Sequence, residues 1–418
     1  MSAGKTVTDL NSFRYDPFMP EVMANPLPFY RVLREHYPVY FIPEYETYFL
    51  SRFQDAWEML SATDNTFIAS EGPLPNPDVL RAPHLGVAVE APTNPLAAPA
   101  HYGSPTLELI RHAQNAPLRP GAVKRLADLI RDLARQRLDI LLPRGRFDLT
   151  QHYAGIVAAA VQCHLFRLPL SEAKHVLDTV NAASITDPLT GGKDYEEQRQ
   201  RLRELVEPTV RARRREGADG SFPLVDGMLE LTIDGRRLTD TEIARTIGIV
   251  LIGGTETVPK VVAHGLWELQ KNPEQLEEVR ADLASNAATA FREMVRYCGP
   301  AQWFMRTVHK PVTLAGQDMK VGQRVIYLVP SAARDEREYG VDAESFRWDR
   351  RIDRWVNFGW GPHFCLGYHL AMLEGRILVE EFLRRVPEFR IDERRAVRLP
   401  SNFQWGWNRL PVEVPIEA

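Results

Sequence analysis

The run TDTEIARTIGIVLIGGTETVPKVVAHGLWELQKNP, residues 239–273, constrains the fold more than any other stretch. It opens on Thr239 or Asp240 as a helix N-cap and stops at Asn272-Pro273, where proline ends the pattern. Its middle, IGIVLIGG, is apolar on every face, which predicts a helix buried through the core. Gly253 and Gly254 then cost about 1 kcal/mol each relative to alanine, so something must compensate for them. Pro259 has no N–H for the Thr255 carbonyl four residues back, and the helix is expected to open or kink there. A groove holding an acid, Glu256, and an alcohol, Thr257, can hold water and pass protons. The plainer reading of the same residues is a packing kink with Glu256 in an ion pair.

Around this helix the chain reads as mostly α with minor β. AVKRLADLIRDLARQRLDILL, SEAKHVLDTVNAA, EEQRQRLRELVEPTVRARRRE and LGYHLAMLEGRILVEEFLRRVPEF carry helical patterns. VYFIPEYETYFLSR alternates aromatic and polar residues and predicts two or three short strands, with a second β-rich section in TVHKPVTLAGQDMKVGQRVIYLVPS. Residues 73–105 are proline-rich and read as a long loop. There is no internal repeat. Residues 1–15 read as a flexible segment and 16–418 as one domain.

A formal net charge of −4 gives no reason to expect nucleic-acid binding, and no charge-free apolar run reaches the length of a membrane span. The first twenty residues lack the apolar core of a secretory signal. Cys163, Cys298 and Cys365 are too few and too far apart for a disulfide framework, so a reducing cytoplasm is expected.

The second informative stretch is FGWGPHFCLG, Phe358 to Gly367. Gly359, Gly361 and Gly367 would let backbone pass close to a flat, bulky partner of Cys365. A helix beginning near Leu366 would aim its first amides at the sulfur and favour a thiolate. Such a thiolate is a metal or haem-iron ligand, or a nucleophile; a buried structural cysteine is the plainer reading. Zinc could use His363, Cys365 and His369, but no second half of a site follows. A Cys–His hydrolase lacks a third member.

These ten residues resemble the haem-binding signature of the cytochrome P-450 superfamily, Phe-x-x-Gly-x-His/Arg-x-Cys-x-Gly, at Phe358, Gly361, His363, Cys365 and Gly367. Other motifs of that family follow the expected order. GGTET, Gly253 to Thr257, is similar to the central-helix motif. Glu293 and Arg296 match Glu-x-x-Arg, with Arg350 as the third member of a cluster that supports the haem loop. The resemblance covers nearly the whole chain and implies the family fold, with haem held between the central helix and the helix after the cysteine.

It further implies haem b with Cys365 as axial ligand and dioxygen as co-substrate. Cofactor contacts fall to Arg111, Arg306, His363, Phe358, Gly359, Gly367 and Gly254. Thr257 and Glu256 become the catalytic alcohol and acid. Ile249, Ile252, Gly253, Ala301, Gln302, Phe403 and Gln404 become pocket candidates for a hydrophobic small molecule, most often hydroxylated at C–H. Trp303 reads as core. The proline-rich loop and ITDPLTGGKD would cover the pocket mouth.

Electrons from NAD(P)H would arrive indirectly through a separate ferredoxin and ferredoxin reductase, since the chain ends without a flavin or iron–sulfur domain. Arg111, Arg119, Arg350, Arg351 and Arg354 are candidates for the ferredoxin's basic landing patch. A cytoplasmic monomer is expected. Two departures stand out: Leu107 occupies a position where many bacterial members have a propionate-binding histidine, and Val258 follows the central threonine. The alternative is a non-catalytic haem–thiolate sensor, which would not need Glu256 and Thr257; a peroxide-using relative would usually alter that pair.

Overall fold

The computed structural model describes residues 10–69, 71–72, 80–81, 103, 105–184, 195–233, 235–399, 401 and 403–416. Most of the 73–105 loop and all of ITDPLTGGKD lie outside the described residues. So do residues 1–9, while Phe13 and Tyr15 are buried core members. That corrects the flexible 1–15 segment: Phe13 stacks on Tyr37 and Tyr15 meets Phe49 edge-on, so aromatic burial holds the chain down there.

The central helix spans Asp240–Lys271. Thr239 Oγ1 accepts from Glu242 N at 3.2 Å, and the Glu242 carboxylate accepts from Thr239 N at 2.7 Å, closing a capping box. Helix continues unbroken through Pro259. The missing backbone bond is tolerated because Val258, Pro259, Val261 and Val262 are all buried and packing holds both flanks. Burial is not complete on every face, however. Ile249 is 40% exposed, Ile252 half-buried and Gly253 exposed, and this i, i+3, i+4 set opens one side of the helix.

Four helices pack around it: Gly155–Leu165, Tyr195–Glu216, Leu283–Cys298 (the support helix) and Tyr368–Arg385 (the cysteine helix). Val258, Val262 and Leu266 share one core with Phe291 and Met294 of the support helix and Leu378 and Phe382 of the cysteine helix. Gly155–Leu165, preceded by a wide helical turn at Leu149–Ala154, has no counterpart among the expected helices. Its sequence, GIVAAAVQCHL, is small and apolar all round and shows no period.

The two β-rich sections join in one five-stranded sheet. Val39–Ile42 pairs antiparallel with Thr47–Leu50, which runs parallel to Arg324–Leu328. Trp303–Val308 pairs antiparallel with that strand, in register Arg306 to Val325, and Phe67–Ile68 closes the far edge. Trp303 is buried beside Phe18 in the aromatic core under this sheet, as expected. Among the described residues one helix is long and apolar enough to cross a membrane, and it is this largely buried central one.

Candidate active site

Cys365 sits in a loop that ends on the cysteine helix, whose N-cap is Gly367. Its N–H donates to the Phe358 carbonyl at 2.8 Å. Gly359 and Gly361 adopt φ of +67° and +66°, which other residues rarely adopt. A Cβ on Gly361 would also lie 2.3 Å from the Leu60 carbonyl oxygen, while one on Gly367 would meet nothing within 4 Å. The Phe358 ring packs edge-on against Trp355 and Tyr368 and steadies the loop from behind. Burial pushes the Cys365 thiol up, and the Gly367 amide and Arg111 oppose this without overcoming it. The helix terminus therefore does not by itself offset burial, and a cation on the sulfur would favour the thiolate.

Three cationic or donor side chains gather beside the loop. Arg111, on the helix Thr106–Gln114, donates through Nη2 to the Phe364 carbonyl at 2.5 Å. Arg306 is buried on its strand, and its described hydrogen bond goes to the adjacent Met305 carbonyl. Burial, then Arg306 and Arg111, lower the pKa of His363 to about 2, so the imidazole is neutral. Leu107, Arg306 and His363 line one cleft. No carboxylate of the chain pairs with Arg306 or His363 among the described residues. Buried guanidinium without an anion is costly, so the cleft suits an anionic group brought by a ligand.

The support cluster forms as expected. Glu293 and Arg296 are fully buried; Arg296 Nε and Nη2 donate to the two Glu293 oxygens at 2.6 Å each. Arg350 Nε reaches Glu293 at 3.4 Å and its Nη1 donates to the Tyr339 carbonyl and to Asp342. Arg296 Nη1 also donates to the carbonyls of Ala333 and Ala343. One buried carboxylate thus ties three chain segments together ahead of Phe358.

On the central helix the two glycines divide their roles. A Cβ on Gly253 would meet nothing, so this position opens the groove. A Cβ on Gly254 would lie 2.2 Å from the Gln162 amide, so the missing side chain at Gly254 admits this neighbour. Thr257 Oγ1 donates to the Gly253 carbonyl at 2.8 Å and sits half-exposed on the open side. Glu256 is paired instead with Lys260, whose Nζ donates to Oε1 at 2.8 Å and to the Glu256 carbonyl at 3.2 Å. The plainer reading of Glu256 as an ion-pair member is therefore realised, with a partner that the sequence motifs do not include.

Ile249, Ile252 and Gly253 present the open face. Ala301 bridges Gln404 across the segment that follows the support helix, and Phe403 packs edge-on to Phe304. Gln302 points away: it is buried and accepts from the Tyr30 hydroxyl at 3.3 Å, because the bond from its N–H to the Phe403 carbonyl turns the side chain into the sheet core. Gln404 is buried as well. Among the described residues no three His, Cys, Asp or Glu side chains come together as a metal site.

One sulfur, a glycine-lined loop that keeps side chains off it, and a basic cleft with no anion of its own together fit an iron porphyrin carrying propionates. Arg306→Leu should leave the fold intact and weaken haem retention roughly tenfold, the scale of one charge-assisted hydrogen bond, measured as transfer of haem to apomyoglobin.

A sequence profile of the cytochrome P450 family matches residues 159–412. A methyl-branched lipid omega-hydroxylase of Mycobacterium tuberculosis is 27% identical over 92% of this chain and 90% of its own length. A steroid monooxygenase of Mycolicibacterium smegmatis is 33% identical over 50% of this chain and 51% of its own. The fold is matched by a solved structure of a Mycobacterium marinum cytochrome P450 in the substrate-free form, at a TM-score of 0.81 and 23% identity, covering 96% of this chain and 98% of that one. The chain belongs to the cytochrome P450 family and is a haem–thiolate monooxygenase.

Proposed function

We propose that the protein hydroxylates a C–H bond of an elongated hydrophobic molecule of lipid or terpenoid type, as a single-domain monomer in the cytoplasm. The observation that carries this is the open apolar face of Ile249, Ile252 and Gly253, on the same side of the helix as the half-exposed Thr257 hydroxyl. Apolar walls with few polar groups bind by water exclusion and not by hydrogen-bond readout. The likeness to a lipid omega-hydroxylase points to the same substrate class.

Haem bound at Cys365 would supply the activation of dioxygen, with the thiolate pushing electron density toward iron. The chain's own residues do the rest. Arg306 and His363, with Arg111 once it leaves the Phe364 carbonyl, would hold the propionates; Gly253 keeps the groove free of a side chain, and Thr257 offers a hydroxyl that can donate once it leaves the Gly253 carbonyl. Ile249 and Ile252 hold the substrate dry against that groove.

Electrons come from a ferredoxin and its NAD(P)H-dependent reductase. The landing patch is smaller than the sequence suggests. Arg350 is buried in the Glu293 cluster, Arg111 is turned to the Phe364 carbonyl, and Arg354 pairs with Glu338 at 2.5 Å. Arg119, bonded to Asn115 Oδ1, and Arg351, which pairs with the exposed Asp353 at 3.0 Å but is itself 87% exposed, remain at the surface. Turnover with an acidic ferredoxin should slow with rising ionic strength and with Arg351→Glu; insensitivity to both would place the docking surface elsewhere.

The substrate class is tested by titrating branched fatty acids, terpenoids and sterols into the ferric protein and following the shift to high spin. Ile249→Phe should weaken the best binder by roughly tenfold by filling the pocket, with the reduced carbon monoxide spectrum unchanged. Small polar compounds shifting the spectrum better than any of these would overturn the assignment.

A further inference from the structure

Beyond the acid and alcohol, the central helix carries a line of ionisable residues at i, i+4, i+8 and i+12: Glu256, Lys260, His264 and Glu268. This spacing stacks them on one face. All four are buried, Lys260 at 2% exposure and His264 at 6%. Buried ionisable groups on a helix are ordinarily replaced by apolar ones unless paired. Here the pairing runs along the helix. Lys260 donates to Glu256, His264 Nε2 lies 3.2 Å from Glu268 Oε1, and the partly exposed Lys271 closes on the same Glu268 oxygen at 2.7 Å. The outer end therefore reaches solvent and the inner end lies one residue before Thr257.

The only turn without a direct contact is the one between Lys260 and His264, and there a second observation applies. The segment Gln404–Trp407 runs alongside. Gly406 lets backbone close on the Lys260 stem, where a Cβ would sit 3.2 Å from Lys260 Cδ. Trp405 and Trp407 both meet the His264 ring edge-on. In this one strip His264 Nδ1, Trp405 Nε1, Trp407 Nε1, Gln404 Oε1 and Arg398 Nη1 are all buried without a hydrogen-bond partner among the described residues. Buried polar atoms in such a cluster are normally satisfied by ordered water.

We propose that Glu256, Lys260, His264 and Glu268 form a proton ladder that feeds the Thr257 groove from the surface at Lys271. In each passage a Lys260 N–H bond breaks as a Glu256 O–H bond forms. The Lys260 amine regains its proton through bound water as His264 takes a proton at Nε2 from Glu268 and its Nδ1–H bond breaks; Glu268 is reprotonated from solvent, and rotation of the imidazole between passages restores the Nδ1–H. Burial lowers the pKa of Lys260, opposed by Glu256, and burial likewise lowers that of His264. Both shifts favour proton release; at Glu268 burial is outweighed by His264 and Lys271, which hold the carboxyl below its ordinary value, so Glu268 carries a proton only in passing.

Lys260, His264 and Glu268 are relay residues that act through Glu256, so the test uses two readouts. In 15N-lysine-labelled, carbon-monoxide-bound protein, the Lys260 ammonium signal, assigned by its loss in Lys260→Met, should exchange with water quickly. His264→Phe, which keeps the aromatic packing, should slow that exchange roughly tenfold and shift a similar share of consumed reductant from product to peroxide. His264→Gln should restore most of both, since a polar side chain can still carry water. Glu268→Gln, at the outer end, should act like His264→Phe and serves if that variant folds poorly. Unchanged Lys260 exchange in His264→Phe and Glu268→Gln would overturn the ladder, as would equal loss of coupling in the Phe and Gln variants. Neither result would bear on the haem spectrum, which tests the monooxygenase assignment separately.

Discussion

Glu293→Gln should destabilise the protein by about 3–5 kcal/mol, the cost of breaking a buried pair and leaving its partner charged. Arg296 donates twice to Glu293, and Arg350 and the Arg347 amide converge on the same carboxylate. The glutamine keeps the shape but offers one acceptor oxygen and carries no charge. Arg296, fully buried, has no second carboxylate within reach; its other described bonds go to the carbonyls of Ala333, Ala343 and Ser345. For a chain of this length the loss corresponds to a fall of about 5 °C in Tm. Because Arg350 lies eight residues before Phe358, haem content should fall with stability. Thermal melts and the haem-to-protein absorbance ratio check both, and a variant with normal values for each would mean the cluster does not support the loop.

Gly375→Ala should also destabilise, by about 1–3 kcal/mol, although alanine is the better helix former by about 1 kcal/mol. Gly375 lies where the cysteine helix crosses the support helix, and a Cβ there would come within 1.9 Å of the Phe291 ring. Phe291 is fully buried in the main core and has no open space into which to turn. The two helices would have to separate, moving the segment that follows Cys365. Combining Gly375→Ala with Phe291→Leu should recover part of the loss, since a smaller side chain admits the methyl group. A melt showing Gly375→Ala more stable than the parent would mean the helices do not approach so closely.

Features set by neighbouring residues are legible in the amino-acid sequence. The capping box at Thr239, the stop at Asn272-Pro273, the strands around Tyr40 and Phe49 and the Glu293–Arg296 pair all depend on spacings of a few positions. The cysteine loop is legible because its glycines have steric roles independent of the rest of the fold. What escapes depends on partners far away in sequence. Gly254 is shaped by Gln162, on a helix with no readable period. Arg350 suits both a surface docking patch and the Glu293 cluster by its position in the chain, and burial decides for the latter. Gln302 suits a pocket wall by its place after the support helix, but its hydrogen bond to Tyr30, 272 positions away, turns it inward. The Glu256–Lys260 pair has the readable i, i+4 spacing, but Lys260 belongs to no motif that would single it out.

The most direct measurement is the absorption spectrum of the purified protein, reduced and exposed to carbon monoxide, beside that of Cys365→Ala. Iron held by the sulfur at 365 gives a strongly red-shifted Soret band in the parent and none in the variant. A band at the position of histidine-ligated haem in the well-folded parent, or the same red-shifted band persisting in Cys365→Ala, would show that some other side chain holds the metal.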